Sequence, residues 1–193
     1  WNLKIKRHFV RAADISRIVT ARKFVELGGL EALIEELSKV AEIVYLEDVR
    51  ENLTLGNKIT AALGPIFPSL VRRQARYKSP GVILFTSGTE GEPKGVVLSH
   101  ENVMANVEQV RAHIGLSTET DKLFNPLPTF HCFGLTVGAI LPLVAGIPVI
   151  FHPTPLQPRE IVKRIRENQS TILLATDTFI SQYARIGHDG DMD

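Results

Sequence analysis

Apolar positions along the chain switch between two periods. Short runs rich in Val, Ile, Leu and aromatic residues predict strands over residues 16–20, 41–46, 81–86, 95–98, 147–151 and 171–174. Between them, apolar residues at helical spacing predict helices over about 21–39 (interrupted at Gly28-Gly29), 58–77, 100–114, 133–145, 158–168 and 178–186. Strands interleaved with helices imply βαβ units, and strands lacking polar alternation imply a sheet covered on both faces. The expected fold class is therefore α/β, a layered and mostly parallel sheet flanked by helices.

Two stretches need separate treatment. Gly64-Pro65 and Pro68 interrupt the 58–77 segment, so a kinked helix or helix–loop–helix is expected there. Its basic end carries Arg72, Arg73, Arg76 and Lys78. That end reads as a solvated linker face; beside Ile66, Phe67 and Leu70 it also has the makings of a contact for acidic lipid headgroups. Further on, residues 123–158 contain no Asp, Glu, Lys or Arg, and 132–151 approach the ~20 residues of a spanning helix. Pro142, Gly146 and Pro148 would break such a helix, so a loop–helix–strand passage through a buried core is expected instead.

Composition narrows the field without naming a function. At 193 residues, 44% hydrophobic and 22% charged, the chain is one domain or slightly more, and is neither disordered nor fibrous. Basic and acidic residues nearly cancel, 22 against 21, so no broad basic field exists for nucleic acid and any anion site must be local. The single cysteine, Cys132, excludes an internal disulfide and a Cys-based zinc cluster. The chain opens Trp1-Asn2-Leu3-Lys4 with neither an initiator Met nor an apolar leader, and is expected to be a piece of something longer.

Candidate chemistry is concentrated in residues 84–95, Leu-Phe-Thr-Ser-Gly-Thr-Glu-Gly-Glu-Pro-Lys-Gly. Gly88, Gly91 and Gly95 let backbone N–H groups curl round an anion; Thr86, Ser87 and Thr89 add hydroxyl donors; Lys94 adds a charge-assisted one. The inventory suits a polyphosphate. It is not a Walker loop, because Pro93 stands where that motif needs glycine and Gly95 where it needs a hydroxyl. A strand-like run follows, and a helix begins only after Ser99, a good N-cap with Glu101 in the first turn. The loop therefore joins two strands and must hold phosphate with its own donors.

Thr86-Ser87-Gly88-Thr89-x-Gly91-x-Pro93-Lys94-Gly95 resembles the signature loop of the adenylate-forming superfamily, which includes acyl-CoA synthetases, luciferases and peptide-synthetase adenylation domains. Leu127-Pro128-Thr129-Phe130-His131 resembles a second family block, and Leu98-Ser99-His100-Glu101-Asn102 a helix start between the two. The likeness covers roughly residues 12–187. Glu90, where most of the family carries Thr or Ser, is similar to members that ligate fatty acids to acyl carrier protein and also reacylate 2-acylglycerophosphoethanolamine.

The resemblance implies an N-terminal subdomain fragment of the adenylate-forming fold. Residues 1–193 would form a partial AMP-binding domain, with a preceding α/β segment and helical linker in 1–78 and the phosphate-loop and acyl-site portion in 79–187. ATP and Mg²⁺ are the implied cofactors. A fatty carboxylate would attack the α-phosphorus, and the phosphopantetheine thiol of acyl carrier protein would take the acyl group. Thr86, Ser87, Gly88, Thr89, Gly91, Lys94 and Gly95 would hold the β/γ phosphates, Thr86 would also touch Mg²⁺, and His131 would lie near the adenylate and the acyl entrance.

The whole protein would take a lysophospholipid through an acyltransferase half, at the cytoplasmic side of the bacterial inner membrane. No counterpart of the family's downstream Tyr-Gly-x-Thr-Glu segment, ribose-binding Asp or catalytic Lys precedes Asp193, so this piece alone is expected to be inactive. A fatty acyl-CoA synthetase fragment is the alternative within the class; a non-catalytic nucleotide- or lipid-binding module and a membrane-anchoring piece built on 132–151 are alternatives outside it. For His131 the competing uses are helix capping and core packing. Gly134 and Gly138 leave a groove that either admits an acyl chain or lets the helix lie close on the sheet.

Overall fold

A computed structural model describes residues 9–70, 76–86 and 94–187, and these divide into two units. The first comprises residues up to Arg76 together with Phe85–Val97; the second comprises Tyr77–Leu84 and the chain from Leu98 onward.

In the first unit, after a helical turn at 9–12, β1 (Arg17–Thr20) leads into α1 (Arg22–Gly28) and α2 (Glu31–Ser38), and β2 (Glu42–Tyr45) returns parallel to β1. The Gly28-Gly29 break is where α1 ends: Gly29 takes φ 57°, a left-handed conformation that a side chain would disfavour, and its N–H caps the helix. Val10, Leu37 and Ala41 form the core under this β–α–β unit, with Ile18, Leu33, Val40 and Ile43 against them. Two turns at the carboxyl ends of the strands are tied by charge. Arg22 donates to both oxygens of Asp48 at 2.5 and 2.7 Å and lies 4.0 Å over the Tyr45 ring, while Glu47 accepts the Arg22 backbone N–H at 2.9 Å. The Glu47 pKa is lowered, first by its own backbone N–H and then by that of Arg22.

Glu47 and Asp48 belong to a short helix, α3 (Leu46–Glu51), where the apolar run predicts only the tail of a strand. The acidic pair at the helix start favours helix over a longer strand. The interrupted segment also starts earlier than its apolar spacing suggests. Helix α4 (Leu55–Leu63) is capped by Thr54 Oγ1 accepting from Asn57 N, and a 3₁₀ turn follows at Pro68–Leu70. Residues 71–75 lie outside the described residues.

Strands β3 (Pro80–Thr86) and β4 (Lys94–Ser99) pair with each other. Ser99 then caps α5 (His100–His113) in a reciprocal box with Asn102, as its position in the sequence predicts. The α5 start is fastened to the segment before β3 by His100 N–H to Ser79 O and Glu101 N–H to Tyr77 O.

The second unit is organised by a three-stranded parallel sheet in the order β6-β5-β7. Strand β5 (Leu123–Asn125), the central one, is not anticipated by the apolar pattern. The chain then forms α6 (Cys132–Leu135), a π-helical segment (Thr136–Ile140) and α7 (Leu141–Ala145) before β6 (Val149–Phe151). The charge-free stretch thus folds as loop, helix and strand, and among the described residues no helix is long and apolar enough to cross a membrane.

Helix α8 (Pro158–Asn168) starts on Pro158 and buries Ile161, Val162 and Ile165 against Phe124; β7 (Ile172–Leu173) and α9 (Asp177–Ala184) complete the layer. Fully burying a side chain such as Ile161 contributes about 1.5–3 kcal/mol.

Tyr183 on α9 is fully buried in this core and donates its hydroxyl to Pro155 O at 2.9 Å, and burial raises its pKa to about 12. Tyr183→Phe is expected to cost about 1–3 kcal/mol by urea denaturation, since it strands a buried carbonyl. Because the folded-state value lies above the unfolded one, the wild-type chain should lose stability as pH rises from about 10 to 12, a slope absent from the Phe variant.

Candidate functional site

Strands β3 and β4 carry, at their adjoining ends, three of the residues expected to hold phosphate. Thr86 closes β3 and Lys94 opens β4, with Gly95 next; all three are exposed. The Thr86 hydroxyl donates to Lys94 O at 3.5 Å, a weak bond at the limit of hydrogen-bonding distance, which brings the two ends together. No carboxylate among the described residues pairs with the Lys94 ammonium. Ser87, Gly88, Thr89 and Gly91 lie outside the described residues. The prediction that the loop joins two strands, rather than strand to helix, matches the structure.

His131 belongs to the second unit, at the carboxyl edge of its parallel sheet, the edge at which open α/β sheets generally take ligands. The turn that presents it is held by backbone bonds: His131 N–H to Pro128 O at 3.1 Å, and Leu135 N–H to His131 O at 2.9 Å. The imidazole is exposed, touches the Phe130 ring at a centroid distance of 4.7 Å and makes no capping bond to the helix it precedes. Neither capping nor core packing accounts for it. Cys132, the first residue of α6, is exposed beside it.

The two glycines after His131 are fully occupied. A Cβ at Gly134 would stand 2.3 Å from Pro128 O, and one at Gly138 would stand 2.1 Å from Asn125 Nδ2. Of the two uses open to them in the sequence, close packing is the one realised, and no space for an acyl chain is left at those positions.

Sequence reasoning missed the polar groups beneath this edge. Asn125 ends β5 fully buried; its Oδ1 accepts Leu127 N–H at 2.9 Å and its Nδ2 donates to Gly134 O at 3.3 Å. His152, immediately after β6, is also buried, and its backbone N–H donates to Asn125 O at 3.0 Å. Arg164 can only donate, so the His152 Nδ1 2.9 Å away accepts, and Nε2 carries the proton toward Gln157 Oε1 at 3.0 Å. The sequence signal for both residues is slight: a polar side chain directly after a short apolar run.

The family described as AMP-binding enzyme matches residues 6–191. The mitochondrial medium-chain acyl-CoA ligase of Danio rerio is 35% identical over 97 residues, 50% of this chain and 16% of that protein. Among solved structures, the Bacillus subtilis O-succinylbenzoate coenzyme A synthetase in complex with ATP and magnesium aligns with all of this chain and 36% of its own, at TM-score 0.77 and 15% identity. A fatty acyl-adenylate ligase from L. pneumophila, in complex with acyl adenylate and pyrophosphate, aligns with 98% of this chain and 30% of its own, at TM-score 0.70 and 17% identity. The chain spans 14–25% of the length of the curated relatives it matches.

Gly138→Ala is expected to destabilise the chain by about 1–3 kcal/mol in chemical denaturation, since the new methyl overlaps the Asn125 carboxamide. Gly115→Ala, where nothing lies within 4 Å, serves as control and should change stability by less than about 0.5 kcal/mol.

Proposed function

Because the chain belongs to the AMP-binding enzyme family, we propose that it supplies the phosphate loop and part of the acyl site of an enzyme that activates a fatty acid with ATP through an acyl-adenylate. The observation that carries this reading is the pair of strand ends that place the Thr86 hydroxyl and the Lys94 ammonium, which pairs with no carboxylate among the described residues, on either side of the glycine-rich loop.

The chemistry brings two anions together, a carboxylate and a polyphosphate, so it depends on positioning and on neutralising charge. Thr86, Ser87, Gly88, Thr89, Gly91, Lys94 and Gly95 hold the β/γ phosphates in this reading, and their donors fix the α-phosphorus for in-line attack. Mg²⁺ would add charge neutralisation at the phosphates. The Thr86 hydroxyl fits that role, being exposed and, among the described residues, bonded to Lys94 O alone at the long distance of 3.5 Å. His131, exposed at the carboxyl edge of its own sheet, would serve near the adenylate and the acyl entrance in this reading. Residues 79–187 form the phosphate-loop and acyl-site portion, and 1–78 the segment and linker before it.

The acceptor proposed is the phosphopantetheine thiol of acyl carrier protein, with the acyl group passing in the whole protein to 2-acylglycerophosphoethanolamine at the cytoplasmic side of the bacterial inner membrane. Glu90 supports that reading. Coenzyme A is the second reading, favoured by relatives described as acyl-CoA ligases. Offering the full-length protein each thiol with a radiolabelled fatty acid distinguishes the two.

Lys94→Ala in the full-length protein should slow fatty-acid-dependent ATP–pyrophosphate exchange. Losing one charge-assisted bond of about 1.5–3 kcal/mol corresponds to roughly ten- to a hundredfold. Exchange at the wild-type rate would remove Lys94 from the site, and its absence from the unaltered full-length protein would refute the activity itself.

A further inference from the structure

His131 is presented by a turn whose anchor lies one layer deeper. Strand β5 has three residues, too short to hold the loop that leaves it by ladder bonds alone. At its end stands Asn125, fully buried, with both ends of its carboxamide in use: Leu127 N–H on Oδ1 from the loop, Gly134 O on Nδ2 from the helix. The socket for that carboxamide exists because Gly138 has no Cβ. Gly138 also lies in the π-helical segment Thr136–Ile140, an uncommon local winding that often accompanies functional positions. The stretch from Leu127 to Gly134, with His131 inside it, is thus gripped at both ends by one side chain.

The geometry points to Asn125 as a positioning residue, whose carboxamide sets the 126–131 loop and so fixes where His131 meets the adenylate. This rests on the role proposed for His131, and it assigns to a residue outside the signature motifs the task of holding one inside them. His152 extends the anchorage, since its N–H takes Asn125 O and its ring is in turn clamped by Arg164 and Gln157. A buried amide whose oxygen and nitrogen are both paired holds one geometry, because turning it strands a donor and an acceptor.

Two measurements test the placement and need no catalysis. In the unaltered chain, the Asn125 carboxamide protons should exchange with water at least tenfold more slowly than those of exposed Asn106; equal rates overturn the proposal. In Asn125→Ala, the Leu127 and His131 backbone amides should exchange at least tenfold faster while the Ile161 and Ile165 amides are unchanged. Loop amides that keep their wild-type protection overturn it.

The third measurement uses full-length protein and ATP–pyrophosphate exchange. Asn125→Ala should lower kcat at least tenfold with KM for ATP changed less than twofold. In a His131→Ala background the same substitution should lower kcat less than threefold further. A full tenfold loss in that background, or a loss carried by KM for ATP, shows that Asn125 does not act through His131. If His131→Ala alone leaves exchange unaltered, the role of His131 fails, and the amide measurements still decide whether Asn125 holds the loop.

Discussion

A parallel strand of three residues cannot govern the chain that leaves it, and the second unit is built round that constraint. Strand β5 pairs on both sides, yet its ladder ends at Asn125, and the next residues are Pro126 and Leu127. Prolines supply no N–H, so backbone pairing cannot continue through the turn. Side chains take over: Asn125 holds one loop, while the Tyr183 hydroxyl and the His152–Gln157 bond hold the next. Asn125, Tyr183 and His152 are buried, where an unmade bond costs more than a made one gains.

The first unit meets a similar demand at its surface. Its turns at the carboxyl ends of β1 and β2 are joined by charges, the Arg22–Asp48 pair at the surface and the half-buried Glu47 carboxylate on the Arg22 amide. Exposed ion pairs contribute little in water. Stacking of Arg22 on Tyr45 and the two-point contact with Asp48 make this one more directional than most. The same architectural problem is therefore solved with buried amides and hydroxyls in one unit and with surface charge in the other.

Legibility in the sequence followed the length of each signal. Helix α8, with Pro158 at its start and a clean apolar stripe, and helix α5, with Ser99 before it, were open to reading because periodicity and cap agreed. Strand β5 was not, since three residues ahead of a proline carry no period. Helix α3 was hidden because its first residue, Leu46, completes the apolar run of β2. For the candidate site, the expectation of a phosphate loop came from residue types, as glycines, hydroxyls and one lysine crowd a short span. The support beneath His131 could not, because Asn125 and His152 acquire their meaning from carbonyls and amides distant in sequence. Gly134 and Gly138 mark the boundary: their spacing allowed an acyl groove or a close approach, and the fold decides for the approach, by Pro128 and Asn125.

The exposed thiol beside His131 has a practical side. Cys132 is the sole cysteine in the sequence and sits on the first turn of α6, directly after the presented imidazole. A maleimide dye would therefore attach at one place only, a few ångströms of backbone from the loop whose position matters most. No residue need be removed to make the chain carry such a reporter, and its emission would register any movement of that loop.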